Sequence, residues 1–420
     1  MPLHRHAGRL LLTAIAVVGL LFSGLSLGAA AQDDVEISYF TFSAAPDQMD
    51  TLEAMIAVFE EQNPGITVNV ETAPFSDYFT ELQTRIAAGD APDVFELNYE
   101  NFVTYASKGV LLDVSDRLAA DPTVAESIYP KALEAFAQDG AQFGLPASFS
   151  NVVLFYNKDL FDAAGVEYPT ADWTWEDELA AAQKLTNADE GIWGMNAPVT
   201  YNEFYKTAAQ NGCEIVAADG SVTIDQPACV EALQFMVDPV ANLNVQPSEA
   251  DLSGVGDTDL FLQGQIAMIT TGIWMIPAFS EAPFAWDIAL EPGNTTKAHH
   301  FFSNAVAIST DTENADAAWA WQSFLSASPD AAKLRVEANW ELPAVTDQTL
   351  LDSWLAQTPP DSREVVFEAL ETLVTPPPFT NQALVQDELN TLFQRVLAGE
   401  LTAEEALAEA KTTIEAALGE

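Results

Sequence analysis

Hydrophobic residues in the first part of the chain alternate between the spacing of strands and the spacing of helices. Residues 35–40 form an extended apolar segment, and Leu52, Met55 and Phe59 then repeat at helical spacing until an Asn-Pro-Gly turn at residues 63–65. A second strand, a helix that stops at a glycine and a short apolar strand follow directly. This repeated βαβ order predicts a mainly parallel sheet with helices on both faces.

A second series of strand patterns begins near residue 152. The apolar segment 152–156 leads to a short helix, and Thr174 is placed to cap the next helix, whose first turn is acidic. Further strands are predicted at residues 192–195, 214–217, 266–269 and 288–290. After residue 308 the periodicity is almost wholly helical. The pattern therefore predicts an α/β protein with two sheets, and 420 residues are enough for two domains.

The N-terminus has the pattern of an export signal. A short basic region precedes the apolar stretch 10–27, and small residues follow at positions 28–31. This arrangement predicts a signal peptide over residues 1–31, with cleavage after Ala31. An uncleaved membrane anchor is the alternative, although three glycines weaken that helix. No cysteine follows the apolar stretch, so we expect a soluble periplasmic or otherwise extracytoplasmic protein that is not a lipoprotein.

The charge of the chain excludes one class of partner. The sequence has 63 acidic side chains against 15 lysines and arginines, which gives a formal net charge of -48. Such a surface repels phosphate backbones, and the sequence has no cluster of basic residues that would provide a local exception. We therefore expect no binding to nucleic acid.

Cys213 and Cys229 are the only cysteines, and 16 positions separate them. In an oxidising compartment they can form a disulfide, which would stabilise the fold by about 3 kcal/mol through loop entropy. The Asp219-Gly220 pair between them is typical of a tight hairpin turn that brings its flanking segments together. The alternative is two buried thiols, and we favour the disulfide.

Motifs of secreted enzymes are nearly absent. The Gly-x-Ser-x-Gly sequence at residues 24–28 lies inside the apolar export segment, where it cannot form a nucleophile elbow. The adjacent His299 and His300 are predicted in a solvated loop, because neighbouring strand side chains point to opposite faces and do not share a metal. We expect no catalytic residue, metal or cofactor. A catalytic carboxylate pair of the glycosidase type stays an open alternative, because 63 acidic side chains produce many such pairs by chance.

Tryptophans beside glycines or chain breaks are candidate ligand residues. Trp274 follows Gly272 closely, and Trp340 precedes the Glu-Leu-Pro sequence at residues 341–343. A sugar needs flat apolar surfaces for its C–H groups and fixed polar groups for its hydroxyls. Aromatic rings near Asn, Ser and Tyr therefore suit a carbohydrate, while core packing is the alternative for each tryptophan.

Short segments in a fixed order also carry a family resemblance. They are residues 59–68, 87–94, 109–113, 144–146, 155–161 (Phe-Tyr-Asn-Lys-Asp-Leu-Phe), 173–176 and 264–268 (Gly-Gln-Ile-Ala-Met), the last leading to Gly272 and Trp274. This set resembles the bacterial extracellular solute-binding protein family 1, the maltose-binding-like receptors of ABC importers. The resemblance implies a periplasmic-binding-protein-like fold, in which two α/β lobes are joined by a multi-crossover hinge with the ligand cleft between them. Lobe one would comprise residues 32–149 plus 293–340, and lobe two residues 150–292 plus 341–420.

The resemblance also implies which residues contact the ligand. Trp274 matches the aromatic residue that stacks on the ligand in this family, and Tyr201 resembles an aromatic residue of the second lobe. Ser150 lies at the first crossover, where the maltose binder has a carboxylate, so its hydrogen bonds would differ. The full set is Phe42, Ser43, Asn98, Tyr99, Ser150, Tyr201, Trp274 and Trp340.

The function implied is that of a non-catalytic, monomeric receptor that captures a mono- or oligosaccharide and delivers it to the permease subunits of an ABC importer. A polyamine, held by acids and aromatic rings, or a polyol is the alternative ligand for the same fold. A secreted carbohydrate-active enzyme or a structural sugar-binding module is the alternative from another class. The nearly empty motif search favours the receptor over the enzyme.

Overall fold

The computed structural model describes residues 34–252, 254–377, 379 and 381–419. The predicted signal peptide, residues 1–31, lies outside this part of the chain. None of the helices in the described part combines the length and the apolarity that crossing a membrane requires.

The helices and strands of the described residues follow one another closely along the chain. The strands are β1 Val35–Thr41, β2 Ile66–Thr72, β3 Val94–Asn98, β4 Ala137–Gln138, β5 Ala141–Gln142, β6 Gly144–Ser150, β7 Val152–Asn157, β8 Met268–Gly272, β9 Trp286–Ala289, β10 His299–His300, β11 Phe302–Ile308 and β12 Leu373–Val374. The helices are α1 Pro46–Gln62, α2 Phe75–Ala88, α3 Tyr99–Ser107, α4 Ser115–Ala120, α5 Pro122–Ser127, α6 Pro130–Glu134, α7 Lys158–Ala164, α8 Trp175–Leu185, α9 Tyr201–Gln210, α10 Pro227–Ala241, α11 Glu249–Leu252, α12 Asp257–Leu262, α13 Ile276–Phe279, α14 Ala315–Ala327, α15 Pro329–Glu337, α16 Gln348–Leu355, α17 Val365–Ala369, α18 Gln382–Leu397 and α19 Ala403–Gly419.

The larger sheet has the strand order β2-β1-β3-β11-β6 among the described residues. Strand β1 pairs in parallel with β2 and β3, as the βαβ pattern predicts. Strand β11 runs antiparallel to both of its neighbours, so the sheet is mixed. The helical periodicity of α1 is confirmed, because Leu52, Met55 and Phe59 are buried in the core formed with this sheet.

Local sequence signals explain where two of the helices begin and end. Helix α2 ends at Gly89, which has φ of +72° and so adopts the left-handed conformation that closes a helix. Helix α8 begins after Thr174, whose hydroxyl accepts a hydrogen bond from the Asp177 amide while the Asp177 carboxylate accepts one from the Thr174 amide. The predicted Thr174 cap is therefore confirmed.

The smaller sheet is antiparallel and has the order β8-β7-β9. Two of its predicted strands correspond to β8 and β9, but the strands predicted at residues 192–195 and 214–217 are wrong. These two segments form only isolated bridges, such as Trp193 with Ile266 and Val216 with Val222. The second bridge belongs to a short hairpin that folds back on itself, so it adds no strand to the sheet.

That hairpin lies beside the disulfide. The turn is closed by a hydrogen bond from the Gly220 amide to the Ala217 carbonyl, with 2.8 Å between nitrogen and oxygen. The structure joins Cys213 and Cys229, whose Cα atoms are 5.2 Å apart. Both cysteines are buried in a core shared by α9, α10, α18 and α19. The disulfide therefore ties the start of α10 to the segment that follows α9.

We call lobe one the larger sheet with helices α1–α6, α14 and α15, and lobe two the smaller sheet with helices α7–α13 and α16–α19. The chain first crosses between them at Asn151, whose side-chain amide donates to the Val366 carbonyl over 2.7 Å. Two hydrophobic cores lie within lobe one around the larger sheet, and others surround the smaller sheet.

Hydrogen bonds show which lobe the segments near the other two predicted boundaries contact. Residues 293–300 bond to lobe two, because the Trp175 amide donates to the Gly293 carbonyl and the Thr296 amide to the Gln210 carbonyl. Residues 342–346 bond to lobe one, where the Leu342 carbonyl accepts from the Phe149 amide. Residues 293–300 are therefore tied to lobe two and residues 342–346 to lobe one, and the boundaries at 293 and 341 stay predictions.

Candidate ligand-binding cavity

A cavity of about 480 Å³ lies between the two lobes. Strands β1 and β3 are parallel and both end at this cavity, with Phe42 and Ser43 following β1 and Asn98 ending β3. Phe302 and Asn304 come from the start of the antiparallel β11, where Asn304 pairs with Asn98. Ligands of α/β proteins bind beyond the carboxyl ends of the strands, so this edge of the larger sheet is the expected place for a site.

Lobe two supplies the opposite wall. The contributing residues are Pro198, Thr200, Asn202, Glu203, Thr270, Thr271 and Trp274. The crossing segments add Val152, His300 and Glu341, and lobe one adds Gln48 and Phe75. The described lining residues include carboxylates, amides, hydroxyls and rings, but no lysine or arginine.

Four phenylalanine and tryptophan rings give the cavity flat apolar surfaces. Phe42 and Phe75 of lobe one meet edge to face, with ring centres 5.3 Å apart. Trp274 meets Phe302 in the same way, with ring centres 5.8 Å apart. The His300 ring stacks on Phe302. Because Phe75 is 50% exposed and Trp274 is only half-buried, parts of these rings are available to a ligand.

Gly272 determines where the Trp274 ring lies. A Cβ atom added at Gly272 would stand 1.9 Å from a carbon of that ring, which is far inside the contact distance. The φ of Gly272 is -83°, which any residue can adopt. The glycine is therefore required by the close approach of the ring and not by its backbone conformation.

Two carboxylates border the cavity, and each has a buried cation beside it. Glu203 forms an ion pair with Lys206, and Glu341 Oε2 lies 3.6 Å from Arg335 Nη1. All four side chains are buried. Burial raises the pKa of Glu341, and the Arg335 charge acts against that rise. The negative charge of each lining carboxylate is therefore balanced by a buried cation of the protein itself.

Lys206 holds a second carboxylate, that of Glu291, with 2.6 Å between Nζ and Oε1. Burial acts to raise the pKa of Glu291, but Lys206 and His300 outweigh it and lower the pKa to about 2. Burial raises the pKa of the neighbouring Glu178 to about 8, against the attraction of Lys206. Buried charges of this kind are stable only as hydrogen-bonded pairs.

The same cluster contains atoms at metal-ligand spacing. One ligand atom each from Glu203, Glu291 and His300 lies within 4.8 Å of the others. The Lys206 ammonium already bonds to both carboxylates, so it occupies the place where a metal cation would bind them. These residues therefore do not favour a metal ion, and the absence of a metal stays a prediction.

Glu96 orients the lobe-one side of the cavity. Its carboxylate accepts hydrogen bonds from the Thr41 hydroxyl and, over 3.2 Å, from the Ser43 hydroxyl. Burial raises the pKa of Glu96 to about 7. The Asn304 side chain donates to Glu341 over 3.5 Å. Ser43 and Asn304 are thus held by carboxylates on the larger sheet and its crossing segment.

Four of the eight predicted ligand residues line the cavity, namely Phe42, Ser43, Asn98 and Trp274. The other four are not among the lining residues of this cavity, and their contact with a ligand stays a prediction: Tyr99, Ser150, Tyr201 and Trp340. In the first set, Asn98 ends β3 and Phe42 directly follows β1, while Ser43 and Trp274 lie two residues beyond the ends of β1 and β8. In the second set, Tyr99 and Tyr201 begin helices and Trp340 lies beyond α15. Ser150 ends β6, so a place at the end of a strand does not by itself make a residue line the cavity.

Tyr201 and Trp340 are core residues. Tyr201 is fully buried in the lobe-two core beside Tyr205, and its neighbours Thr200 and Asn202 line the cavity instead. Trp340 is 5% exposed and belongs to the core of lobe one. Its ring centre lies 4.2 Å from the guanidinium carbon of Arg335, the cation that pairs with the lining carboxylate of Glu341.

Tyr99 and Ser150 lie close to the cavity without lining it. The Tyr99 ring packs edge to face against Phe136 and Phe301. Ser150 is buried at the end of β6, and Val152 is the residue of that crossing that lines the cavity. Ser150 ends β6 and Val152 begins β7, so the change of strand at Asn151 decides which side chain is presented to the cavity.

The predicted solvated loop at His299 and His300 is wrong. Both histidines are buried and form β10, which pairs in parallel with β12. His300 Nε2 lies 2.7 Å from the Asn202 carbonyl oxygen. The partner strand comes from residues 373–374, and a pairing across that separation leaves no local signal.

Sequence reasoning missed several lining residues: Gln48, Phe75, Asn202, Glu203, Thr270, His300, Phe302, Asn304 and Glu341. One signal was available for Glu203, because Lys206 follows at i+3 and such pairs share a helix face. Glu341 adopts a φ of +52°, which is unusual for a residue with a Cβ and is common at functional sites.

Comparison with known proteins identifies the family. The profile of the bacterial extracellular solute-binding protein family matches residues 45–332. An ABC substrate-binding protein from Listeria monocytogenes in complex with cycloalternan is 50% identical, covers 92% of this chain and 100% of its own, and has a TM-score of 0.89. An ABC transporter solute-binding protein from Thermotoga lettingae bound with alpha-D-tagatose is 26% identical, covers 91% and 100%, and has a TM-score of 0.82.

The sequence comparisons agree. A putative binding protein of Brucella abortus is 26% identical over 352 residues, which are 80% of this chain and 83% of that protein. The family resemblance and the two-lobe α/β fold predicted from the sequence are thereby confirmed. This chain belongs to the bacterial extracellular solute-binding protein family.

Proposed function

We propose that this protein is an extracytoplasmic receptor that captures a neutral carbohydrate between its lobes and delivers it, unaltered, to the permease of an ABC importer. The observation that carries the proposal is the pairing of each lining carboxylate with a buried cation, Glu203 with Lys206 and Glu341 with Arg335. Such carboxylates accept hydrogen bonds from hydroxyl groups without needing a charged ligand.

The lining also argues against charged ligands. A sugar phosphate or a uronic acid would find no lysine or arginine among the described lining residues, and anions are usually bound by such groups. A polyamine would find carboxylates that already have cations of their own. A neutral sugar finds oxygens and amides for its hydroxyls, and the rings of Phe42, Phe75 and Trp274 for its C–H faces.

The relatives support the same class of ligand. The Listeria monocytogenes protein was solved with cycloalternan and the Thermotoga lettingae protein with alpha-D-tagatose. We propose the same class of ligand, a carbohydrate, for the present chain. We also propose that its signal peptide is cleaved, that it carries no lipid anchor, and that it is a monomer without catalytic activity. A polyol stays within the proposal, because it offers the same neutral hydroxyls.

A binding screen tests the proposal. The mature protein is incubated with cycloalternan, tagatose, maltose, ribitol, glucose 6-phosphate and spermidine, and its melting temperature is recorded. We expect a neutral sugar or polyol to raise the melting temperature and to bind one to one by calorimetry, with no product on chromatography. A response to spermidine or to glucose 6-phosphate alone, or hydrolysis of cycloalternan, would overturn the proposal.

Gly272→Ala is expected to weaken binding of the sugar found in this screen by about tenfold or more, because the new methyl group forces the Trp274 ring out of its place. Gly256→Ala is the matched control, since its added Cβ meets nothing within 4 Å and its φ of -68° suits alanine. Calorimetry and melting curves compare the two variants. Equal affinities would show that the ring position does not matter for binding.

A further inference from the structure

Helix α3 of lobe one packs against lobe two. It begins directly after the cavity residue Asn98. The Thr104 hydroxyl donates to the Phe379 carbonyl, and the Gln382 amide donates to the Thr104 hydroxyl, each over 3.4 Å. These hydrogen bonds join α3 to the start of α18, so the contact exists only while the lobes are together.

Glu100, in the first turn of α3, is buried at this contact. Its side chain is only 4% exposed. Apart from the amide of Glu100 itself, neither carboxylate oxygen has a hydrogen-bond partner in the described part of the chain. The Tyr205 hydroxyl of lobe two interacts electrostatically with Glu100 and is likewise buried without a partner. A buried carboxylate without a donor or a counter-ion is costly when ionised.

Of the groups that surround Glu100, only the His300 ring can carry a positive charge, and that ring already faces the carboxylates of Glu203 and Glu291. Lobe two presents the phenols of Tyr201 and Tyr205 from α9 and the ring of His300 from β10. Tyr99 adjoins it on α3 itself. The remaining charged groups on the packed elements are engaged elsewhere or exposed: Glu96 on β3, Glu203 and Lys206 on α9, and Asp387, Glu388 and Arg395 on α18. His299 on β10 bonds to Thr372, and β11 carries no titratable side chain.

We propose that Glu100 takes up a proton when the lobes close, so that closure, and with it sugar capture, is favoured at low pH. The proton passes from water to a carboxylate oxygen of Glu100, and it returns to water when the lobes separate. Opening would withdraw α3 from α9 and α18 and expose the carboxylate. The statement about capture rests on the proposed function, whereas the statement about closure does not.

The direction of the effect follows from the two environments. In this structure, where α3 packs against lobe two, burial raises the pKa of Glu100 to about 7, and its own amide and His300 act against that rise. In water a glutamate has a pKa of about 4.3. Since the closed-state value is the higher one, the advantage of closure is complete below about pH 4.3. As the pH rises from there to about 7, the equilibrium constant for closure falls by about tenfold for each pH unit, and the advantage is lost.

The first experiment needs no ligand. The distance between the lobes is measured by small-angle scattering and by energy transfer between dyes on the two lobes, from pH 4 to pH 8. We expect the lobe distance of the wild type to increase as the pH rises, and Glu100→Gln to keep at every pH the distance that the wild type has at pH 4. Glu126→Gln, an exposed glutamate of α5, is the control and should behave as the wild type. A wild-type distance that does not change with pH overturns the proposal.

The second experiment measures protons directly. Cycloalternan binding is followed by calorimetry at pH 6 in two buffers of different ionisation enthalpy. We expect about one proton taken up by the wild type and by Glu126→Gln, and none by Glu100→Gln, whose affinity should not vary with pH. Cycloalternan binding without proton uptake contradicts the coupling. If cycloalternan fails to bind while the lobe distance still responds to pH, cycloalternan is not the ligand of this protein and the coupling stands.

Discussion

Replacing Trp274 by alanine is expected to raise the dissociation constant for the bound sugar by roughly 30- to 150-fold. The ring is the large aromatic surface that lobe two contributes to the described lining, and it meets Phe302 across the cavity. Removing a central aromatic residue of an interface costs about 2 to 3 kcal/mol, and each 1.4 kcal/mol is about tenfold in affinity. Calorimetry with the sugar identified by the screen measures the change.

Trp319→Ala provides the matched control for Trp274→Ala. Trp319 is a partly buried tryptophan of α14 that packs on the lobe-one core and is not a lining residue of the cavity. Its loss should lower the melting temperature and leave the dissociation constant within about twofold. If Trp274→Ala binds sugar as tightly as the wild type, Trp274 is a packing residue and the stacking assignment is refuted.

Lys206→Met is expected to lower the free energy of unfolding by about 3 to 5 kcal/mol. The substitution keeps most of the side-chain volume but leaves Glu203 and Glu291 buried without their cation. Breaking a buried pair from one side costs this much because the remaining charge stays desolvated. Urea unfolding of the ligand-free protein at pH 7 measures the loss.

The loss caused by Lys206→Met should also depend on pH. The ion pair lowers the pKa of Glu291 to about 2, so its stabilising effect is present above about pH 4.5 and disappears as the pH falls towards 2. The difference in the free energy of unfolding between the wild type and Lys206→Met should therefore become smaller over that pH range. Lys333→Met is the control, since its pair with Glu337 is exposed and should contribute at most about 0.5 kcal/mol. Equal losses in the two variants would show that burial of the pair does not matter.

Much of the fold was predictable because it depends on neighbours along the chain. The parallel strands at the start of the larger sheet follow from alternating periodicities, and the end of α2 at Gly89 follows from one residue. The reversal of β11, in contrast, has no sequence signal of its own. It results from a chain that has visited lobe two and returns between β3 and β6.

The candidate site divides in a similar way. Phe42, Ser43 and Asn98 were predictable because strand direction alone places the ends of parallel strands at one edge. Periodicity does not show which side of the first turn of α9 faces the cavity. Tyr201 packs in the lobe-two core, and this packing leaves Thr200 and Asn202 as the lining residues. Glu341 was missed as a ligand residue because its role depends on a crossing whose path the sequence does not reveal.

From the sequence alone, the order of most strands and helices, the family and the edge of the sheet that borders the cavity could be predicted. The tertiary structure decided which charges are paired, as with Lys206 and Glu291, and which carboxylates are buried between the lobes, as with Glu100. The physical reason is that periodicity reports which face of an element is apolar. Coulomb energies and desolvation depend on distances between residues far apart in the chain, and these distances are set only when the elements pack.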